Sequence, residues 1–179
     1  AKFYLDNELY QNGYAWIFPK GENLANIGVG GDGVKWEDFE KFLETKVKPH
    51  YGAYKFIENR SGSVPSGGFR GSLQKDGVML AGDAAGLADP IFDGGMTQAM
   101  QSGRIAAECI LEKEVGSYED RIKTQPFAGE DLLKAKKAFY SLDNQTLNAL
   151  GELLNQRSSS YLKTLPGILK FLASKDLRG

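Results

Sequence analysis

The chain has 179 residues, 22 basic and 23 acidic side chains, a formal net charge of −1 and 41% apolar residues. That is an ordinary globular composition, long enough to bury a real core. Its apolar runs fall well short of the ~18 residues of a membrane-spanning helix, and its first residues lack the basic-then-apolar layout of a secretion signal. One cysteine, Cys109, and one histidine, His50, permit neither an internal disulfide nor a cysteine zinc site, and they give no hydrolase triad. Balanced charge argues against a nucleic-acid partner held through phosphates.

Taken in chain order, residues 2–5 are a candidate strand. Tyr14-Ala15-Trp16-Ile17-Phe18 is aromatic and β-branched, and it ends at Pro19-Lys20-Gly21-Glu22-Asn23. Leu24 to Val29 then reads as a second strand, which makes an antiparallel hairpin. Trp36, Phe39, Phe42, Leu43 and Val47 recur at helical spacing behind Glu37 and Asp38, so a helix is expected over 36–48, stopped by Pro49. Residues 54–58 and 62–64 read as extended. Residues 77–83 read as a short buried strand with Asp83 at its carboxyl end. From Gly95 a long helix is expected to about Glu114, with Met96, Ala99, Met100, Gly103, Ala106, Ala107, Ile110 and Leu111 as its apolar packing face. Few glycines follow Ser117, and helices are expected at about 117–124, 129–140, 143–156 and 158–175, with Asp143 a candidate N-cap.

Gly28-Val29-Gly30-Gly31-Asp32-Gly33 matches the dinucleotide fingerprint G-x-G-x-x-G literally. The preceding strand is expected in a hairpin rather than in a central parallel position. Asp32, Glu37 and Asp38 would repel a pyrophosphate at the helix start, and Val34, Lys35 and Trp36 are too bulky for close helix–sheet approach. A Gly-rich strand end is the favoured reading.

The segment from Val78 to Met96 carries chemistry. Asp83 supplies a carboxylate that can accept hydroxyl hydrogen bonds, and the small residues around it let backbone approach a ligand. A Pro-led loop then turns through Gly94-Gly95 into a helix start that favours negative charge. A polyol chain joined to a ring that becomes anionic suits that set. The segment resembles the second flavin-binding segment of glutathione-reductase-type flavoproteins in the p-hydroxybenzoate-hydroxylase arrangement. The resemblance implies FAD as cofactor, with Gly82, Asp83, Ala84, Ala85, Pro90, Gly94, Gly95 and Met96 as binding residues. By it Asp83 holds a ribityl or ribose hydroxyl, and the backbone N–H groups near Gly94, Gly95 and Met96 face the flavin pyrimidine edge.

Gly13-Tyr14-Ala15-Trp16-Ile17-Phe18-Pro19-Lys20-Gly21, followed by Ala25 to Gly30, resembles the signature of the geranylgeranyl reductase family, which reduces isolated double bonds of isoprenoid chains. The resemblance places Tyr14, Trp16, Phe18 and Pro19 in a substrate-binding sheet. Alternation puts the three aromatic rings on one sheet face, and an aromatic wall suits a long apolar chain; a plain aromatic core is the other reading of these three. The family usually has glycine where Asp93 stands, and Asp tolerates a left-handed turn better than most residues.

The expected class is α+β: a substrate-sheet region over 1–75, the second FAD segment over 76–115 and a helical region over 116–179. The first flavin segment of such enzymes has no counterpart here, and a complete member has about twice this length. The chain is therefore expected to be the C-terminal half of an FAD-dependent oxidoreductase. The N-terminal half would be its partner, and by itself the chain would be inactive and weak in FAD binding. The family's catalytic cysteine is not Cys109, which reads as a buried small hydrophobe, and no residue is assigned a catalytic role. Rival readings are a flavin monooxygenase or halogenase on the same scaffold, and a non-catalytic isoprenoid- or lipid-binding module. From Arg157 on, five basic side chains and one acid flank a stripe of Leu162, Leu165, Ile168, Leu169 and Leu172. A packed helix is favoured there over contact with an anionic membrane surface. The expected location is cytoplasmic, at most peripheral on the membrane.

Overall fold

The computed structural model describes residues 1–69 and 71–156. It divides into two compact units, Ala1–Tyr54 with residues 138–156, and Lys55–Lys137.

The first unit is built on a three-stranded antiparallel sheet of order β1 (Lys2–Tyr4), β2 (Tyr14–Pro19), β3 (Ala25–Gly30). Trp16 lies opposite Phe3 on one side and Gly28 on the other, and Ala15 lies opposite Tyr4 and Val29. One face of the sheet is therefore Tyr4, Ala15, Ile17, Ile27 and Val29. These residues pack with Tyr10, Phe39, Phe42, Leu43 and Val47 into one core. The chain closes the β2–β3 hairpin with the amide of Lys20 donating to the carbonyl of Leu24 at 2.8 Å. The strand before Gly28 is thus antiparallel, as a Gly-rich strand end requires and a dinucleotide fingerprint does not.

Helix α1 (Trp36–Phe42) starts where the Asp38 carboxylate accepts the Lys35 amide at 2.8 Å. The expectation that Pro49 stops this helix is corrected. The chain passes through a π turn at Leu43–Val47 into α2 (Lys48–Tyr51), with Pro49 in the first turn of α2. A proline clashes with the carbonyl four residues back and has no amide to give. The wider π turn and a fresh helix start remove both conflicts. Helical chain ends instead at Gly52, with φ +75°. Helix α6 (Asn144–Gln156) begins as expected at Asp143, whose carboxylate accepts the Thr146 amide at 2.6 Å.

Residues 54–58 and 62–64 form no ladder. The buried strand expected over 77–83 is also corrected. Asp76 and Gly77 take positive φ, +51° and +80°, and join β4 (Gln74–Lys75) to β5 (Val78–Met79) as a two-residue hairpin. Val78 on this edge ribbon is 62% exposed. Asp83 belongs to a 3-10 turn, Gly82–Ala85, rather than to a strand end. Helix α3 (Met96–Leu111) follows, then a 3-10 turn (Val115–Ser117), α4 (Tyr118–Lys123) and α5 (Glu130–Tyr140). The first three helices expected after Ser117 appear within two residues of their expected bounds. The fourth, and the basic apolar stripe from Arg157, lie outside the described residues.

The packing face of α3 differs from the expected one. Ser102, Ile105 and Cys109 are its buried residues, joining Leu73, Ala85, Leu87, Tyr118 and Ile122, whereas Met96 and Met100 are 85% and 76% exposed. Apolar residues sit on both sides of this helix, so apolar count alone misplaces the face. A buried hydroxyl decides it: Ser102 Oγ donates to the Gln98 carbonyl at 2.7 Å and accepts the Gly82 amide at 2.9 Å. Among the described residues no helix is long and apolar enough to cross a membrane.

Candidate functional site

Two sets of residues stand out, one in each unit. In the first unit, the sheet face opposite the core carries Phe3, Tyr14, Trp16 and Phe18. Ring centroids are 5.5 Å apart for Phe3–Tyr14, 5.1 Å for Phe3–Phe18, 5.7 Å for Tyr14–Trp16 and 6.1 Å for Trp16–Phe18. The Trp16 and Phe18 rings are stacked within 27°. Helix packing consumes the Ala15–Ile17 face, so the aromatic face is not the core of this sheet. Tyr14 is buried, Trp16 and Phe18 are half-buried and Phe3 is 52% exposed. Pro19 closes β2 opposite Ala25 and is exposed. An apolar aromatic surface of this kind takes a long apolar ligand and gives it no polar handle.

Sequence reading missed two members of this face. Phe3 joins through its register with Trp16, which a three-residue strand does not announce. Asn26 accepts the Trp16 indole N–H at 2.6 Å. Alternation from Phe18 across the hairpin is the signal that reaches it.

In the second unit, the 3-10 turn Gly82–Ala85 rests on α3. A Cβ on Gly82 would meet Ala99 Cβ at 2.9 Å, and Gly82 has φ +55°, so both space and backbone require glycine there. The turn is held by the Ser102 hydroxyl below it and by the Gly86 amide donating to the Asp83 carbonyl at 2.9 Å. Upstream, the buried Tyr118 hydroxyl donates to the Leu80 carbonyl at 2.6 Å. Burial raises the pKa of this phenol, which keeps its proton on the donor.

The Asp83 side chain is exposed and reaches the start of α3. A Cβ on Gly95 would lie 2.7 Å from Asp83 Oδ1. Gly95 is the N-cap of α3 and supplies no side-chain cap, so the first helical amides are left without that partner. Ala84 is exposed beside Asp83, and Ala85 is buried in the core. Pro90 is buried at the head of the loop. Asp89 shapes that loop: its Oδ1 accepts the amides of Ile91 and Phe92 at 2.9 and 2.8 Å, and its own amide donates to the Gly94 carbonyl at 2.6 Å. Asp93 sits at φ +53°, the left-handed turn that aspartate must take in place of the family's usual glycine. Gly94 and Met96 are exposed on either side of Gly95. The structure therefore gathers Gly82, Asp83, Ala84, Gly94, Gly95 and Met96 around one helix start, while Ala85 and Pro90 support it from below. Ser102 and Asp89 were not foreseen, since a single Ser or Asp in a small-residue run carries no pattern of its own. An exposed carboxylate beside uncapped helix amides can hold hydroxyls and an anionic ring edge together.

Comparison with known proteins bears on both sets. Residues 1–64 match the geranylgeranyl reductase catalytic domain. A digeranylgeranylglycerophospholipid reductase of Methanoculleus marisnigri is 35% identical over 97% of this chain and 47% of its own length. The enzyme of the same name from Methanosarcina acetivorans is 36% identical over 87% of this chain and 42% of its own length. Among solved structures, a geranylgeranyl bacteriochlorophyll reductase-like protein from Thermoplasma acidophilum superposes with a TM-score of 0.73 at 29% identity, covering 97% of this chain and 47% of that one. The chain spans about half the length of the curated relatives it matches.

Proposed function

The chain belongs to the geranylgeranyl reductase family, and from that premise we propose that it forms part of an FAD-dependent reductase of isoprenoid-chain double bonds, acting on a geranylgeranyl lipid or a related chain. The observation that carries this reading is the aromatic face of β1–β3, which stands opposite the sheet's core and presents Tyr14, Trp16 and Phe18, with Pro19 at its end. The named relatives reduce lipids that carry geranylgeranyl chains. The remainder of the enzyme supplies the other part of the flavin site, in the glutathione-reductase type of arrangement. In functional terms residues 1–75 are the substrate sheet region, 76–115 the second flavin segment and 116–179 the C-terminal region.

The residues around α3 fit FAD on their own chemistry. Asp83 is an exposed acceptor for a sugar or ribityl hydroxyl, Gly95 leaves the helix start bare, the exposed Ala84 and Gly94 let backbone approach, Gly82 seats the turn on α3, and Met96 opens the helix. Ala85 and Pro90 hold the segment in shape. When bound, reduced FAD would supply a hydride equivalent for one alkene carbon, and an acid would supply the proton that completes the reduction at the other. The chain's own residues bind and orient: Asp83 fixes the hydroxylated tail, the α3 amides favour negative charge at the ring edge, and the aromatic face aligns the isoprenoid by contact area alone. The test is anaerobic turnover of a geranylgeranyl lipid by the full-length enzyme, followed by mass spectrometry for added hydrogen. Saturation of the chain without oxygen supports the reductase. A product that appears only with oxygen supports a monooxygenase, and lipid binding without flavin supports a non-catalytic module.

A further inference from the structure

Trp16 is the central residue of the aromatic face, and two neighbours on β3 control its pose. A Cβ on Gly28 would lie 2.3 Å from Trp16 Cζ2 and 2.7 Å from Cε2 and Cη2. The six-membered ring of the indole therefore lies directly on the Gly28 backbone, and any side chain there would lift it. At the other end, the indole N–H donates to Asn26 Oδ1 at 2.6 Å. Register makes both contacts possible, because Trp16 pairs with Gly28 and Phe18 with Asn26 on the same sheet face. The outcome is chemical as well as steric. An isoprenoid chain has no acceptor to offer an indole N–H, so an N–H turned toward it would be buried without a partner. Asn26 consumes that donor within the sheet, and the surface left to a ligand is ring carbon.

We infer that Gly28 and Asn26 are positioning residues for the isoprenoid chain, seating Trp16 flat on β3 with its only polar atom satisfied within the sheet, so that Trp16 and Phe18, backed by the buried Tyr14, form one apolar surface. This rests on the substrate-face reading above and adds to it the two residues that shape the face without belonging to its aromatic set. Gly28 is held by the ring above it, not by a turn, and it occupies the first glycine of the fingerprint that the fold does not use for a nucleotide.

The two tryptophans of the chain are Trp16 and Trp36, so a Trp36→Phe background makes Trp16 the single fluorophore. In that background the emission maximum reports the seating of the indole, and quenching by geranylgeraniol reports binding. Gly28→Ala and Asn26→Leu are each expected to shift Trp16 emission to the red and to weaken geranylgeraniol quenching about tenfold, with the far-ultraviolet circular dichroism unchanged. Asn26→Asp keeps an acceptor for the indole and is expected to restore both signals, which a purely structural role for the side chain would not predict. Parent emission retained in Gly28→Ala overturns the inference. So does shifted emission with geranylgeraniol binding intact, and that result leaves the substrate-face reading standing. Absence of any geranylgeraniol response in the parent overturns both.

Discussion

The carboxylate of Asp83 occupies the space that a side chain on Gly95 would need: a Cβ there would meet Asp83 Oδ1 at 2.7 Å. Acid and helix start thus define each other's position. Gly95→Ala is expected to push the carboxylate away without unfolding the chain, and Asp83→Ala to remove the acceptor outright. In the full-length enzyme each should weaken FAD binding by about tenfold to a hundredfold, the worth of one hydrogen bond to a charged group. Fluorescence titration of the apoenzyme with FAD measures it, and unchanged affinity in Asp83→Ala would remove this residue from the site.

Tyr118 reaches the same segment from beneath through its bond to the Leu80 carbonyl. Tyr118→Phe keeps the ring in the core and leaves that carbonyl without its donor. The expected loss is about 1–3 kcal/mol of unfolding free energy, read by urea titration. A change within experimental scatter would show that another donor takes the carbonyl.

The two sides of α3 should respond oppositely to truncation. Ile105 is buried among Leu73, Leu87, Cys109 and Tyr118, whereas Met100 is exposed. Ile105→Ala is expected to cost about 2–5 kcal/mol, and Met100→Ala to stay within about 0.5 kcal/mol. Denaturant midpoints of the two variants decide between this packing and the face that apolar count alone suggests.

Glu119 is an acid-side pH sensor. Its bond to Lys123, then the amide of Leu73 and the hydroxyl of Ser72, lower its pKa from 4.5 to about 2. A folded pKa below the unfolded one gives stability that is complete above pH 4.5 and is lost as pH falls toward 2. Glu119→Gln is expected to lower stability at neutral pH and to flatten the decline across that window. Thermal midpoints measured from pH 7 downward test it, and parallel curves for parent and variant would refute it.

Much of the fold could be read from local pattern. The Tyr14–Phe18 alternation and the Pro-Lys-Gly turn specify the hairpin, because period-two patterning and turn chemistry act over a few residues. Asp143 announces α6 for the same reason, since a cap is a contact with a residue three positions on. The left-handed turn at Asp93 was also legible from residue type. The candidate flavin segment is legible as a string, but its architecture is not: Asp76-Gly77 is a hairpin turn, and it makes the expected buried strand an edge ribbon.

By itself the sequence determined that β2 carries three aromatic rings on one side, that a carboxylate and a glycine pair precede a helix, and which family these motifs resemble. Those are properties of spacing and side-chain type, which a linear string holds completely. Tertiary structure alone decided that Ala15 and Ile17 face the core, which leaves Tyr14, Trp16 and Phe18 to the opposite face. It alone decided that Ser102 rather than Met100 faces the core from α3, and that Asn26 and Gly28 seat Trp16. Each of these depends on what packs against a face or sits across a strand, and a hydroxyl or a missing Cβ acquires meaning only from the atom it meets.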